Sequence, residues 1–324
     1  MTAPDGGYGA ARDRAALVFL EERGVLEATG PQRQKFLQGM LSNDVAALRP
    51  GQGCRAALLD VKGHVLSLMR VLVTTDAVLL EMPRDRLALV EGVLNHHKVA
   101  APVRFKIQMT AVLGLLGPAG RDVLQRAGAT IPALGVEEHV AAEVASHAVL
   151  VVAAGDFPAG GFALHVSVEA RGAVHEALAQ AGAEPLDRDA LDALRIEEGR
   201  AWFGPDVTEE NLLHEVGRVA EHVSFSKGCY VGQEVVARLD ARGGNVNKAL
   251  RGLRLEAASK PGTVLRSGDK EIGRITTAAV SPRLGPIALA FVHRSHFEPG
   301  TLIDAGGVRA TVASLPLAQG PVEA

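Results

Sequence analysis

Cys229 stands inside Lys227-Gly-Cys-Tyr-Val-Gly-Gln-Glu234 and is one of only two cysteines in 324 residues. A thiol two residues after a lysine can serve as a nucleophile, because nearby positive charge and unpaired backbone amides favour the thiolate. The stretch from Val223 to Arg238 reads as a loop turning into a helix, which would put Cys229 at the helix start, where the dipole adds to the effect. Arg238 follows Glu234 by four residues, the spacing at which two side chains meet on one helix face and a carboxylate can be held. Gly228 and Gly232 let the backbone take unusual dihedrals and approach a ligand or another segment closely. The competing reading is structural: a lone free cysteine is often a small buried apolar residue, and glycines often mark ordinary turns.

Other residues carry chemistry with less context. Asn43 and Asp44 follow a short helix where an Asx turn is expected. Arg195 and Glu197 lie on a helix, where either is ordinarily a solvated side chain. Trp202 and Phe203 can stack on a planar ligand or simply pack. His96, His97 and Lys98 are adjacent, so they cannot share a helix face as metal ligands would, and they read as an exposed helix end. Cys54 falls in a β-like run and reads as core. With no Cys-x-x-Cys or His-x-x-x-His spacing, no closed metal site is expected.

The elements that must position these groups are legible from apolar spacing. Ala16 to Leu20 and Gly24 to Ala28 read as strands, followed by a helix opening at Gly30-Pro31 with Phe36, Leu37, Met40 and Leu41 on one face. Arg55 to Leu59 and His64 to Thr74 form a hairpin around Gly63, whose turn needs positive φ. Further strands are expected at 77–82, 103–108, 111–116, 149–153 and 162–168. Helices are expected at 84–98, after Gly117-Pro118, at 170–181, and from Asp187 as N-cap to about Glu198. Past about residue 245, short β-like runs at 249–255, 263–266, 271–277, 287–293 and 307–313 alternate with turn residues, the pattern of a small β-barrel. The division expected is 1–245, holding two interleaved α+β subdomains with the second at about 52–110, and 246–324 as the barrel.

Composition narrows the partners. With 47 per cent hydrophobic and 22 per cent charged residues the chain has the makeup of a folded protein. A formal charge of -3 gives no basic excess for nucleic acid, so an anionic ligand would be small and locally held. No apolar stretch reaches the roughly 20 residues of a membrane span. The start, MTAPDGGYGAARDR, lacks a signal-peptide core and reads as a frayed tail, so the cytoplasm is the expected location.

The octapeptide, continued to Arg238, resembles the signature Lys-Gly-Cys-aromatic-x-Gly-Gln-Glu of the YgfZ folate-binding proteins, relatives of the glycine-cleavage T-protein (aminomethyltransferase). Phe36-Leu-Gln-Gly39, Ser42-Asn-Asp-Val45, Ala57-Leu-Leu-Asp60 with Gly63, and Leu194-Arg-Ile-Glu-Glu-Gly199 occur in the family's order. Ile272-Gly-Arg-Ile-Thr276 and Ile287-Ala-Leu-Ala290 resemble the T-protein barrel. The resemblance implies an α+β fold, a T-protein-like three-domain ring arrangement with a C-terminal β-barrel. It also implies tetrahydrofolate as the ligand, and iron-sulfur proteins or their assembly factors as partners. By motif, Lys227 and Cys229 are the functional pair, supported by Tyr230, Gln233, Glu234 and Arg238. Glu197 matches the glutamate that hydrogen-bonds the pterin, Asn43 and Asp44 lie on the folate side, and Arg195 holds Glu197 or the folate's glutamate tail.

One departure bears on chemistry. T-proteins carry an acidic pair in a pattern like Gly-Gly-x-x-Asp-Asp, and here the corresponding stretch is Gly63-His-Val-Leu-Ser-Leu68. A serine and a leucine cannot stabilise a protonated folate nitrogen as a carboxylate does, which disfavours glycine-cleavage aminomethyl transfer. Three functions stay open: a folate-dependent accessory protein for iron-sulfur enzymes, a folate-dependent aminomethyl- or methyltransferase, and a non-catalytic folate sensor or scaffold.

Overall fold

In the computed structural model, which describes residues 5–157 and 160–317, α1 (Tyr8–Asp13) leads into β1 (Ala16–Phe19), β2 (Arg23–Thr29) and α2 (Arg33–Met40). The hairpin forms as β3 (Gly53–Leu59) and β4 (Val65–Val73), followed by β5 (Ala77–Pro83), α3 (Leu87–His97), β6 (Arg104–Ile107) and β7 (Thr110–Leu116). Then come α4 (Gly120–Arg126), β8 (His139–Val144), β9 (His147–Ala153), β10 (Gly161–Ser167), α5 (Arg171–Gln180), the two-residue β11 (Glu184–Pro185) and α6 (Arg188–Glu197). Short helices α7 (Leu213–Val216) and α8 (Val219–His222) precede α9 (Gln233–Asp240). The last strands are β12 (Lys248–Leu255), β13 (Val264–Ser267), β14 (Lys270–Ser281), β15 (Gly285–His293), β16 (Leu302–Ala305) and β17 (Arg309–Ala313). Among the described residues, no helix is long and apolar enough to cross a membrane.

Three local outcomes differ from the sequence reading. Part of the expected frayed start is the helix α1, which buries Tyr8, Ala10 and Ala11, while residues 1–4 lie outside the described residues. Small residues carry that burial, so no run of large apolar side chains announces it. The helix expected from Arg84 begins as a 3-10 turn over Arg84–Arg86 before α3. β8 and β16 go beyond the strands expected from the sequence; in β8 only the end residues His139 and Val144 are buried, so no two-residue period shows.

The chain divides into two compact units, one of Gly9–Pro185 with Arg218–Ala237, the other of Met1–Tyr8, Leu186–Gly217 and Arg238–Ala324. The first holds two sheets, one antiparallel in the order β3-β4-β5-β2-β6 and one in the order β11-β1-β7-β10-β9-β8. Leu37 and Met40 of α2 pack into the core of the five-stranded sheet together with Leu58, Val71 and Leu80. The hairpin turns at Gly63, whose φ of +80° only glycine adopts freely.

The same unit buries a cluster of charges. The Arg70 guanidinium donates to Glu137 at 2.5 Å, to Glu81 at 2.5 Å and to Asp156, while Arg23 donates to Glu81 at 3.1 Å and to Asp156 at 3.2 Å. His165 Nε2 lies 2.7 Å from Glu81. Burial alone would raise the Glu81 pKa, but Arg70 foremost, then His165 and Arg23, hold it well below the usual carboxylate range. Each buried charge thus has a partner, the condition under which such charges are tolerated.

In the second unit β12-β15-β14-β13-β16-β17 closes into a barrel. Asp187 caps α6 by accepting from the Ala190 amide at 2.8 Å, a contribution of about 1 kcal/mol. Arg195 fastens α6 to the barrel by donating to Asp192 at 2.6 Å, to Asp206 at 2.6 Å and to Thr277 at 2.8 Å.

Candidate functional site

The signature falls on the loop between α8 and α9. Lys227 is buried, with only 8 per cent of its surface exposed, and its ammonium donates to three carbonyls: Gln38 at 2.5 Å, Leu41 at 2.5 Å and Asn43 at 3.1 Å. These lie at and just beyond the C-terminal end of α2, where carbonyls lack intrahelical partners and a cation is favoured. Its Nζ also sits 4.9 Å from the centre of the buried Tyr230 ring, within cation-π range. Burial draws the Lys227 pKa down to about 8, opposed foremost by the charge of Asp44. Burial likewise pushes the Tyr230 hydroxyl up to about 12.

Cys229 is exposed on the same loop. Two expectations about it are corrected. α9 begins at Gln233, four residues on, so Cys229 lies outside the helix's first turn and the dipole does not act on it as a terminal residue. Lys227 turns its ammonium to the carbonyls at the end of α2, where its charge also lowers the Cys54 pKa against the larger effect of burial. Cys54 itself is half-buried on β3, and burial foremost, with Glu137 adding, pushes its pKa up to about 12. The two thiols are therefore in opposite settings, one open and one sealed against ionisation.

The two glycines of the signature also differ. Gly232 has φ of +82°, and a Cβ there would stand 2.6 Å from the Asp60 carbonyl oxygen, so the loop presses directly on the β3–β4 turn. Gly63 makes the reciprocal contact, since a Cβ on it would meet Val235 at 2.9 Å. Gly228 has open space around it. Gln233 and Glu234 open α9, Arg238 lies in its last turn, and both Glu234 and Arg238 are exposed, so a pair between them would be screened by solvent.

Asn43 and Asp44 lie beside the Lys227 contact. Asn43 donates to the Arg55 carbonyl at 2.7 Å and accepts from the Asp44 amide at 2.8 Å; Asp44 accepts from Gln38 at 3.0 Å. Ser42, next to them, donates to the His222 carbonyl at 2.6 Å and accepts from the Ala57 amide at 2.8 Å, tying the loop's root to β3. Lys227, Asn43, Asp44, Tyr230 and Cys229 are thus gathered on one unit. Ser67, in the hairpin that lacks the acidic pair, is fully buried and donates to the Leu68 carbonyl at 3.2 Å.

Glu197 belongs to the other unit and is neither a surface carboxylate nor an open one. It is 1 per cent exposed, and it accepts from the Tyr8 hydroxyl at 2.7 Å, from Ser281 and from Arg283 at 3.2 Å. Arg195 is equally sealed, its guanidinium engaged with Asp192, Asp206 and Thr277 and lying 5.1 Å from the Trp202 ring. Arg188 stands 5.0 Å from the same ring, so two guanidinium groups lie within cation-π range of Trp202. His96 and His97 are exposed at the end of α3, as their adjacency suggests. Among the described residues, no cluster of three or more histidine, cysteine or carboxylate side chains could hold a metal ion.

Sequence reasoning did not find Tyr8, Ser281 or Arg283 as partners of Glu197, nor the three carbonyls that receive Lys227. Both sets join residues far apart in the chain and leave no local spacing. The loop itself was legible from its two glycines, whereas the exposure of its thiol emerges only from the fold.

The comparisons with known proteins agree with this architecture. Residues 7–227 match the GCVT N-terminal domain, and residues 248–318 match the glycine cleavage T-protein C-terminal barrel domain. The chain is 30% identical over 321 residues to an aminomethyltransferase of Saccharopolyspora erythraea, covering 91% of this chain and 83% of that protein. It is 28% identical over 299 residues to an aminomethyltransferase of Rubrobacter xylanophilus, covering 87% and 77%. The crystal structure of the glycine cleavage system aminomethyltransferase T from Bartonella henselae superposes with a TM-score of 0.85 at 21% identity, covering 96% of this chain and 88% of that one. The chain therefore belongs to the glycine cleavage T-protein family, with that family's N-terminal domain and C-terminal barrel.

Proposed function

We propose that this protein is a tetrahydrofolate-binding member of the family, of the YgfZ type, that supports assembly or repair of iron-sulfur clusters through the thiol of Cys229, and that it acts in the cytoplasm. The observation that carries the reading is the contrast between an open Cys229 in an intact Lys-Gly-Cys signature and a hairpin without its acidic pair. Ser67 is sealed and its hydroxyl serves a backbone carbonyl, so it offers no acid for a folate nitrogen. In this reading Lys227 acts by position: it fixes Tyr230 and the end of α2 and so holds the loop that presents Cys229. Asn43, Asp44, Gln233, Glu234, Arg238 and Arg195 complete the folate-side set assigned by motif. For Glu197 to accept the amino edge of a pterin, the ligand must take over acceptor positions now filled by Tyr8 and Ser281.

Calorimetric titration with tetrahydrofolate tests the ligand, and a wild-type protein that gives no heat refutes the folate reading. Complementation of a strain lacking the gene tests the thiol: Cys229→Ala is expected to leave iron-sulfur enzyme activities unrestored. Full restoration would favour a folate sensor or scaffold in which the thiol is passive. The names of the relatives favour a second reading, a folate-dependent aminomethyl- or methyltransferase. Turnover with a lipoyl-protein substrate would establish it.

A further inference from the structure

A cavity of about 810 Å³ lies against the outer wall of the barrel, a volume in the range of small-molecule sites, and none of its lining residues belongs to the Lys-Gly-Cys signature. One side is the segment 205–211, and the other is formed by β12, β14 and β15. Ala288, Ala290 and Val292 of β15 fill the barrel core. The alternate residues face out: Ile287 and Leu289 pack with Ile196 of α6, and Phe291 and His293 continue that face into the cavity. Ladder register then decides what surrounds the Phe291 ring. Lys248 stands opposite His293 and Arg274 opposite Phe291, so three nitrogen-bearing side chains share a face with one aromatic ring.

Two of the three have donors to spare. The Lys248 ammonium sits 5.5 Å from the centre of the Phe291 ring, and the carboxylate it pairs with, that of Glu215, is 3.8 Å away, beyond hydrogen-bonding distance. His293 Nδ1 accepts from the Ser295 amide at 3.3 Å, so the neutral ring carries its proton on Nε2. Arg274 is committed, donating to the Gly262 carbonyl at 2.9 Å and to Glu271 at 3.3 Å. The lining also holds three acidic residues, and two of them are answered. Asp206 accepts from Arg195, the Trp202 amide, Thr276 and Thr277, while Glu271 is held by Arg274. Glu210 is exposed on the loop, its carboxylate without a partner among the described residues.

We propose that this cavity binds a small organic acid with an apolar body, its carboxylate accepting from Lys248 and His293 and its body lying on Phe291, Pro205 and Pro261. The site is separate from the folate reading above and does not depend on it. Pairing an ammonium already held against an aromatic ring with a carboxylate gives a charge-assisted bond whose donor is positioned in advance. Glu210 opposes a second negative charge, so monoanions are preferred to dianions. A crevice left between a loop and a barrel would take apolar molecules whatever their charge, and the test turns on that difference.

The experiment is a saturation-transfer NMR titration of the full-length protein with phenylacetate, its neutral amide phenylacetamide and the cation phenethylamine. Phenylacetate is expected to bind about tenfold more tightly than phenylacetamide, the advantage of a charge-assisted bond over a neutral one, and phenethylamine should not bind. Lys248→Met should weaken phenylacetate by about tenfold and leave phenylacetamide unchanged. His293→Phe should weaken it by about threefold, and this variant leaves Lys248 and Glu215 in place should the first fail to fold. Glu210→Gln should tighten phenylacetate by about twofold, the small effect of an exposed charge. No transfer to phenylacetate at about 5 mM, equal affinity for acid and amide, or wild-type affinity in a folded Lys248→Met or His293→Phe protein overturns the site. Displacement of phenylacetate by tetrahydrofolate would make the cavity part of the folate site and overturn the proposal of a separate one.

Discussion

Replacing Lys227 by methionine keeps the length of the stem and removes the ammonium from three carbonyls at the end of α2. The sign of the result is a contest between two effects. Burial disfavours the charge, and its fall from 10.5 to about 8 corresponds to roughly 3 kcal/mol. Against this stand the hydrogen bonds to Gln38, Leu41 and Asn43, each worth about 2 kcal/mol when the donor is charged. The bonds win by about 3 kcal/mol, and the methionine also leaves those carbonyls without their donor. For a unit of this size such a loss lowers the melting temperature by about 6–12 °C. Thermal unfolding followed by circular dichroism reads the loss, and hydrogen exchange of the α2 amides shows whether it is local. Because the ammonium faces α2, Cys229 should alkylate within about twofold of the wild-type rate. An unchanged melting temperature with unchanged α2 protection would refute the capping role. A large fall in Cys229 reactivity in a protein that still folds would restore the view that Lys227 tunes that thiol.

Other expectations follow from the same geometry. Gly232→Ala meets both a left-handed backbone and the Asp60 carbonyl at 2.6 Å, so it should cost at least about 1–2 kcal/mol, whereas Gly228→Ala should fall within about 0.5 kcal/mol; equal urea midpoints for the two variants would contradict this. His222 is buried with Nε2 unpartnered, and burial foremost, with the charge of Arg55, lowers its pKa from 6.5 to about 3. Its neutral form is held in the fold, so stability is fully present above pH 6.5 and falls as the unfolded chain takes up the proton below it, by about 2 kcal/mol at pH 5. Urea midpoints at pH 7 and pH 5 should therefore differ more for the wild type than for His222→Leu, and parallel pH dependences would reject the assignment. Glu81→Gln leaves Arg70 buried beside a neutral amide and should destabilise by about 3–5 kcal/mol, with a wild-type unfolding midpoint as the contrary result.

Much of the architecture was readable from the chain because its signals are local. Asp187 sits where a helix N-cap should, Gly63 where a hairpin must turn through positive φ, and the barrel strands between turn residues. β16 escaped notice because four residues, one of them charged, offer little alternation. The site was readable only in part. The loop follows from its glycines, but the exposure of its thiol does not, since a lone free cysteine is as readily a buried apolar residue, and the direction of the Lys227 side chain depends on α2, more than 180 residues away along the chain. Arg195 and Glu197 illustrate the same limit: each is charged and on a helix, yet both are sealed by partners from distant segments. Residue type gave their chemistry, and only the tertiary fold gave their accessibility.

The closure of the barrel has a bearing on recognition. β12 pairs with β15 on one side and β17 on the other, and every strand of that sheet has a neighbour on each side over at least part of its length. Such a cylinder has no edge strand along which an extended peptide or a second copy could add a full new strand. Whatever docks on this part of the protein must be selected by side chains and turns, which leaves its specificity open to single substitutions.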